Sequence, residues 1–317
     1  MGGRARLGVG ERAPDFTLVG TSGSAERFYA YAGGRPTALV FARDGADPRM
    51  VELIDLLAGR EDVAVTPVTD PSVAEAYGVP REQLTVVVLD PSLRVMGVVT
   101  EEKPSTEVVA LLDAALHRGP PTEVNDQAPV LFISRVLDAD QRDRLIRIVE
   151  QEGNVETGVE RSASGGSRGG EILDANYKRR RDHTVTDPDL LRDLSSVIGR
   201  RIMPEIRKAF AFRATRFEGF KIACYDASTG GFFRPHRDNL SPSTAHRVFA
   251  LTLNLNDAYE GGQLRFPEYG NQLYRPEAGA ALVFSCAHLH EVRDVTAGRR
   301  FVLLSFLYGE RASSAAR

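Results

Sequence analysis

RVFALTLNLN, residues 247–256, alternates strictly. In an extended chain Phe249, Leu251, Leu253 and Leu255 fall on one face, while Ala250, Thr252, Asn254 and Asn256 fall on the other. A strand that packs its leucines against a second layer and turns Thr and Asn inward lines a polar cavity, so something small and polar should bind there. The pattern extends in both directions. Residues 217–225, 263–266, 281–285, 288–292 and 301–308 also read as strands, separated by Gly, Pro or Asn. Two stretches of helical periodicity, 138–152 and 188–212, come before them. Many short strands after a helical stretch predict a β-sandwich or jelly roll braced by helices.

Further upstream, RGPPTEVNDQAP at residues 118–129 interrupts the periodicity with three prolines and polar residues. This break predicts a linker over 119–129, between a domain at 1–118 and another at 130–317. In the first domain, apolar runs at 37–41, 63–68, 85–89 and 94–99 alternate with helical patterns at 50–57, 73–77 and 108–116. That alternation, with a hairpin around DPS at 90–92, predicts a small α/β domain.

Composition narrows the classes. A chain of 317 residues with 42% hydrophobic and 26% charged residues can bury two cores and is not disordered or fibrous. Its formal net charge of −3 excludes a nucleic-acid binder of the basic-patch kind. No apolar run approaches the ~20 residues that would cross a bilayer, so no membrane partner is expected. Residues 1–12 are rich in Gly and Arg without an apolar segment, which predicts no secretory signal and a cytoplasmic location. Cys224 and Cys286 are the only cysteines and lie in no C-x-x-C spacing, as suits a reducing compartment.

The chemistry-bearing residues follow shortly before the alternating stretch. GGFFRPHRDN at 230–239 places His236 and Asp238 two residues apart, on one face of an extended chain. His290, in SCAHLHEV, stands 52 residues beyond Asp238 on another predicted strand. Two imidazoles and a carboxylate on neighbouring strands can cap one face of an octahedral ion and leave positions open, the arrangement used by non-haem Fe(II) oxygenases. His288 shares a face with His290 in a regular strand and is an alternative ligand. His117, His183 and His246 have no partner at ligand spacing and read as surface or hydrogen-bonded residues. Gly261 and Gly262 read as turn glycines. RSASGGSRGG at 161–170 predicts a mobile lid or binding loop. The run KRRRD at 178–182 reads as a solvated face, with an acidic substrate or partner as the alternative.

Two resemblances sharpen these expectations. Residues 8–117 resemble the peroxiredoxin and thioredoxin-like family in GERAPDFTL at 10–18, PTALVFAR at 36–43, AYGVPR at 76–81 and VVVLDPS at 86–92. The resemblance implies a thioredoxin-like fold. Family chemistry needs a thiolate in the loop after the VF strand, and here that loop reads ARDGADPRM. Thiol peroxidase activity is therefore not expected, and the domain would serve structure, substrate presentation or docking of a protein partner.

Residues from about 129 to 310 resemble the Fe(II)- and 2-oxoglutarate-dependent dioxygenases, in the prolyl 4-hydroxylase-like branch on the double-stranded β-helix. DASTGGFFRPHRD after Tyr225, TLNLND, YEGGQLRFPEYG, PEAGAALVFSCAHLHEV and DVTAGRRFVLLSF carry the likeness in order. The resemblance implies His236, Asp238 and His290 as iron ligands, and Arg300, ten positions after the distal His, as the partner of the far carboxylate of 2-oxoglutarate. It also implies Tyr225 as a hydrogen-bonding contact of that cosubstrate. Asn254 stands where relatives often carry the Tyr of YLN, and is a further candidate contact. The implied reaction takes O2 and 2-oxoglutarate, hydroxylates an unactivated C–H bond of a small-molecule or peptidyl substrate, and releases succinate and CO2, with ascorbate keeping the iron reduced. A jelly-roll metalloenzyme of another reaction type is the alternative.

Overall fold

The computed structural model describes residues 7–19, 25–80, 82–100, 105–116, 123–160, 171–172 and 174–309. The chain divides into two compact units, Met1–Thr122 and Glu123–Arg317. Residues 119–122 of the expected linker lie outside the described residues. The rest of that stretch is tied to the second unit, where Ala128 N donates to Tyr274 Oη at 2.9 Å and Gln272 Nε2 donates to Asp126 O at 2.8 Å.

In the first unit a four-stranded sheet runs in the order Ala64–Val68, Thr37–Phe41, Thr85–Leu89, Val95–Val99. Its first pair is parallel and the others are antiparallel. TALVF and TVVVL are apolar almost throughout because these two central strands are buried on both faces. Helices Pro48–Leu57 and Ser105–Ala115 cover one face through Met50, Leu53, Val108 and Leu112. Phe28 and helix Pro71–Tyr77 cover the other. The expected hairpin closes at Asp90, whose side chain accepts from Ser92 N and Arg94 N.

The second unit is two facing antiparallel sheets. The larger runs through Leu131–Ile133, Ala281–Ser285, Phe249–Asn254, Val295–Tyr308, Lys221–Asp226, Arg181–Thr184 and Val155–Glu156. The smaller runs Lys178–Arg179, Phe232–His236, His290–Val292, Leu264–Arg265, Leu273–Tyr274. The apolar face of the deciding stretch goes where its alternation sends it, and on the other face Ala250 and Thr252 reach the cavity. Phe249, Leu251, Leu253 and Leu255 pack outward with Leu145, Val149, Leu194 and Ile198 of the helices, while Ala250 joins the core between the sheets. Asn256 instead closes the sheet edge, donating to Arg299 O and accepting from Phe301 N.

Several element boundaries differ from expectation. The helical stretch 188–212 is two helices, Pro188–Arg201 and Met203–Phe210, because Pro204 lacks the N–H that a continuous helix would need. Helix Ala139–Glu152 starts on a capping box made by Asp138 and Gln141. The final strand starts at Val295 and not at 301, and 217–225 is broken between Arg216–Phe217 and Lys221–Asp226, where Phe220 turns into the outer core. The expected mobile loop at 161–170 lies outside the described residues. Among the described residues no helix is long and apolar enough to cross a membrane.

Leu253 has no exposed surface, so Leu253→Ala should lower stability by about 2–5 kcal/mol in urea unfolding, the usual range for truncating a packed Leu. Leu273→Ala, at a side chain 53% exposed, should stay within about 0.5 kcal/mol of wild type.

Candidate functional site

His236 ends strand Phe232–His236 and His290 begins strand His290–Val292, and the two are direct cross-strand partners. The pairing contains a bulge. Phe233 faces Val292 while His236 faces His290, so Arg234 and Pro235 on one strand stand opposite the single residue Glu291 on the other. In a regular strand residues 233 and 236 would point to opposite faces. The extra residue resets the phase, and the Phe233 ring stacks on His236 with centroids 3.5 Å apart. Pro235 is tolerated within this irregular segment because a proline cannot donate to a regular ladder.

Asp238 lies just past the strand end. Its N–H donates to Cys286 O at 3.0 Å, and its carbonyl accepts from Arg247 Nη1 at 3.2 Å. Its two carboxylate oxygens lie 3.5 Å from His236 Nε2 and 3.4 Å from His290 Nε2. One ligand atom from each of the three residues falls within 4.8 Å of the others. Each imidazole has its other nitrogen on a main-chain carbonyl: His236 Nδ1 on Arg234 O at 2.8 Å, and His290 Nδ1 on His288 O at 3.0 Å. A carbonyl only accepts, so each Nδ1 carries a hydrogen, and in the neutral ring Nε2 is the nitrogen that presents a lone pair to the cluster.

For His290 the electrostatics favour the same neutral state. Burial is the largest influence on His290 and pushes its pKa down to about 4, with Asp238 partly opposing it. Burial also resists ionisation of Asp238, but His290, His236 and Arg247 outweigh it and hold the carboxyl down at about 2. At neutral pH the cluster is therefore a neutral His290 beside a carboxylate. Two nitrogens and one oxygen form a donor set that suits Fe(II) with positions left open. Cys286, whose carbonyl anchors Asp238, has its thiol pKa pushed up by burial and stays protonated.

The cluster opens into a cavity of about 850 Å³. Across it, on the larger sheet, Tyr225 and Arg300 are cross-strand partners and both line the wall. Arg300 is 2% exposed, and its Nε has no hydrogen-bond partner. Its Nη2 donates to Asn254 Oδ1 at 3.3 Å. Among the described residues no carboxylate pairs with this guanidinium. Such a buried cation facing a cavity fits a carboxylate ligand, which its planar fork can bind through two oxygens. Arg299 points the other way, to Glu150 at 2.8 Å. Gly261 and Gly262 take φ of +71° and +66°, and a Cβ on Gly262 would come within 2.9 Å of Arg300 Cδ. Glycine there serves both the turn and the space that Arg300 needs.

Three expectations need correction. Asn254 is not on the cavity wall: its amide donates to Tyr259 Oη and Pro276 O, and its Oδ1 accepts from Arg300 Nη2. His288 stands in a turn that precedes the strand, so the period-two argument does not reach it, and its ring lies against Tyr269. The run at 178–182 is not a solvated face, because Lys178 and Asp182 are buried and Arg180 joins Lys178 on the cavity wall, while Arg179 and Arg181 face outward. Alternation within an extended segment was the signal that reading it as a block of charge overlooked. Of the remaining histidines, His183 Nδ1 donates to Gly153 O and His246 pairs with Glu218 at 2.9 Å, while His117 lies outside the described residues.

Residues 220–308 match the 2OG-Fe(II) oxygenase superfamily. The chain is 30% identical over 104 residues to a PKHD-type hydroxylase of Synechococcus sp. (strain JA-2-3B'a(2-13)), covering 31% of this chain and 46% of that protein. It is 30% identical over 114 residues to a PKHD-type hydroxylase of Parvibaculum lavamentivorans, covering 35% and 51%. The chain thus spans about half the length of the curated relatives it matches. Among solved structures, it is similar to a Pseudomonas putida prolyl-4-hydroxylase at 20% identity, with 58% of this chain and 94% of that chain covered and a TM-score of 0.43.

The depressed pKa of His290 has a measurable consequence in the metal-free protein. An unfolded histidine takes up a proton near pH 6.5 while the folded one stays neutral down to about 4, so stability falls as pH drops through that window. This single site contributes a slope of at most about 1.4 kcal/mol per pH unit. Asp238 extends the loss below its ordinary 3.8 toward about 2. Urea unfolding as a function of pH should show a shallower decline for His290→Asn than for wild type; equal slopes would contradict the assignment.

Proposed function

We propose that this chain is an Fe(II)- and 2-oxoglutarate-dependent dioxygenase that hydroxylates an unactivated C–H bond of a small-molecule or peptidyl substrate, in the manner of prolyl 4-hydroxylases. The observation that carries the reading is the pairing, across one cavity, of the His236, Asp238 and His290 cluster with the buried guanidinium of Arg300. A lone three-ligand cluster fits several metal reactions. A buried cation on the facing wall adds the requirement for a carboxylate.

In this reading His236 Nε2, His290 Nε2 and Asp238 hold the metal, and Arg300 binds the far carboxylate of 2-oxoglutarate. When bound, Fe(II) supplies activation of dioxygen, with 2-oxoglutarate as the two-electron donor that leaves as succinate and CO2. The protein's part is position and dryness. The Nδ1 hydrogen bonds set the direction of both imidazoles, and Phe233 and Phe284 cover the ring of His236 and that of His290. Asn254 holds Arg300 in place, and Tyr225 beside it offers a hydroxyl to the same carboxylate. A cavity of about 850 Å³ leaves room for a substrate beside the cosubstrate. Ascorbate belongs to the same reading, as the reductant that keeps the centre ferrous.

The amino-terminal unit enters as a thioredoxin-like fold without thiol chemistry. Its support is the four-stranded mixed sheet with helices on both faces, and a loop after Thr37–Phe41 that carries no cysteine. Presentation of a substrate or docking of a protein partner are the roles such a unit can fill.

With Fe(II), O2 and ascorbate as the donor of the two electrons a substrate would otherwise supply, the full chain should convert 2-oxoglutarate to succinate and CO2 without added substrate, and Asp238→Ala should reduce this to background. Arg300→Ala should raise the 2-oxoglutarate requirement roughly a hundredfold, as expected when a charge-assisted hydrogen-bonded pair is lost in a buried site. Succinate formation by Asp238→Ala at the wild-type rate would refute the metal assignment.

A further inference from the structure

Arg180 stands where the chain crosses between the two sheets. Lys178–Arg179 pairs with Phe232 and Phe233 of the smaller sheet, and Arg181–Thr184 pairs with Lys221–Cys224 of the larger. From that corner the Arg180 side chain enters the space between them. Its Cζ lies 5.7 Å from the Phe233 ring centroid and 5.9 Å from that of Tyr225. Two of its three nitrogens are committed: Nε and Nη2 fork onto the carboxylate of Asp182, at 2.7 Å each. Asp182 is itself buried, accepts a hydrogen bond from Thr157 Oγ1 at 2.7 Å, and is kept ionised by Arg180 against the opposing effect of burial. The fork leaves Nη1, which points at Tyr225 Oη from 3.5 Å.

This geometry restricts the phenol. A guanidinium only donates, so Tyr225 Oη accepts on that side and its own hydrogen is turned elsewhere. Arg300 lies over the same ring, with Cζ 5.4 Å from the centroid, and cannot accept that hydrogen either. The phenol of Tyr225 lines the cavity with a guanidinium on either side, so an anion placed against Arg300 would offer its hydrogen an acceptor.

We propose that Arg180, held by Asp182, is a positioning residue that fixes Tyr225 as a hydrogen-bond donor to the carboxylate bound by Arg300. The inference rests on the 2-oxoglutarate reading above and adds to it a set of residues, Thr157, Asp182 and Arg180, that act on the cosubstrate only through Tyr225. Arg180 could also raise anion affinity simply as a nearby positive charge. The two roles separate in a double-mutant cycle, because a through-space effect survives removal of the phenol and a positioning effect does not.

The test is calorimetric titration of 2-oxoglutarate into the Mn(II)-loaded full chain, for wild type, Arg180→Met, Tyr225→Phe and the double variant. Each single change should weaken binding roughly tenfold, the scale of one charge-assisted hydrogen bond, and the double variant should bind no more weakly than Tyr225→Phe alone. Asp182→Asn keeps the side-chain volume while loosening the fork, and should reproduce the loss with Tyr225 present and show none with Phe at 225; it carries the test if Arg180→Met does not fold by circular dichroism. Equal losses from Arg180→Met in both backgrounds, or no loss in either, would overturn the positioning role while leaving the functional reading intact. Failure of the wild-type protein to bind 2-oxoglutarate would remove both.

Discussion

The register between two short strands controls the site. His236 and His290 meet as cross-strand partners because one extra residue is accommodated between Phe233 and His236. A strand has a side-chain period of two, so a slip of one residue sends every side chain to the opposite face. Here the irregularity is put to use: it places the Phe233 ring and the His236 imidazole on the same side, in contact, where a regular ladder would separate them. Asp238 then needs only to be held just beyond the strand end, which its main-chain bonds to Cys286 and Arg247 accomplish.

Around that pairing the structure sorts charge by partnership. Glu218 and Arg247 neutralise each other at 2.6 Å on one side of the cavity, and Arg180 and Asp182 do so on another. Arg300 differs from both: it is buried against an amide, a ring and open cavity, and among the described residues no carboxylate pairs with it. Burying a charge without a counter-charge is expensive in an apolar interior, and a ligand that supplies the missing carboxylate recovers that free energy on binding. The cluster of His236, Asp238 and His290 is arranged on the same principle, since the neutral state of His290 leaves its lone pair available without first losing a proton.

The two units differ in where their chemistry-bearing side chains lie. In the second, buried polar groups converge on one cavity between the sheets. In the first, the loop that follows the central strand Thr37–Phe41 carries Asp44 and Asp47, which cap backbone N–H groups of their own segment. Those carboxylates serve the turn and the helix start, and the sheet faces above and below are filled by aliphatic and aromatic side chains.

Residues 247–256 determined by themselves that a strand of a two-layered β structure packs its leucines on one side and faces a cavity on the other, because strict alternation separates the two faces; Ala250 and Thr252 reach that cavity. The convergence of H-x-D with a distant His was equally legible, as was the inward direction of Arg300 against the outward one of Arg299, since one step along a strand reverses the side chain. Three things were settled only by the fold. Asn254 turned to Arg300 because Tyr259 and Pro276 occupy its amide; Arg180 reached Tyr225 because its segment crosses from one sheet to the other; and Phe233 met His236 through a bulge. Local periodicity reports which face a residue takes, whereas partners are chosen by chain segments far apart in sequence, and that choice exists only once the sheets have closed on each other.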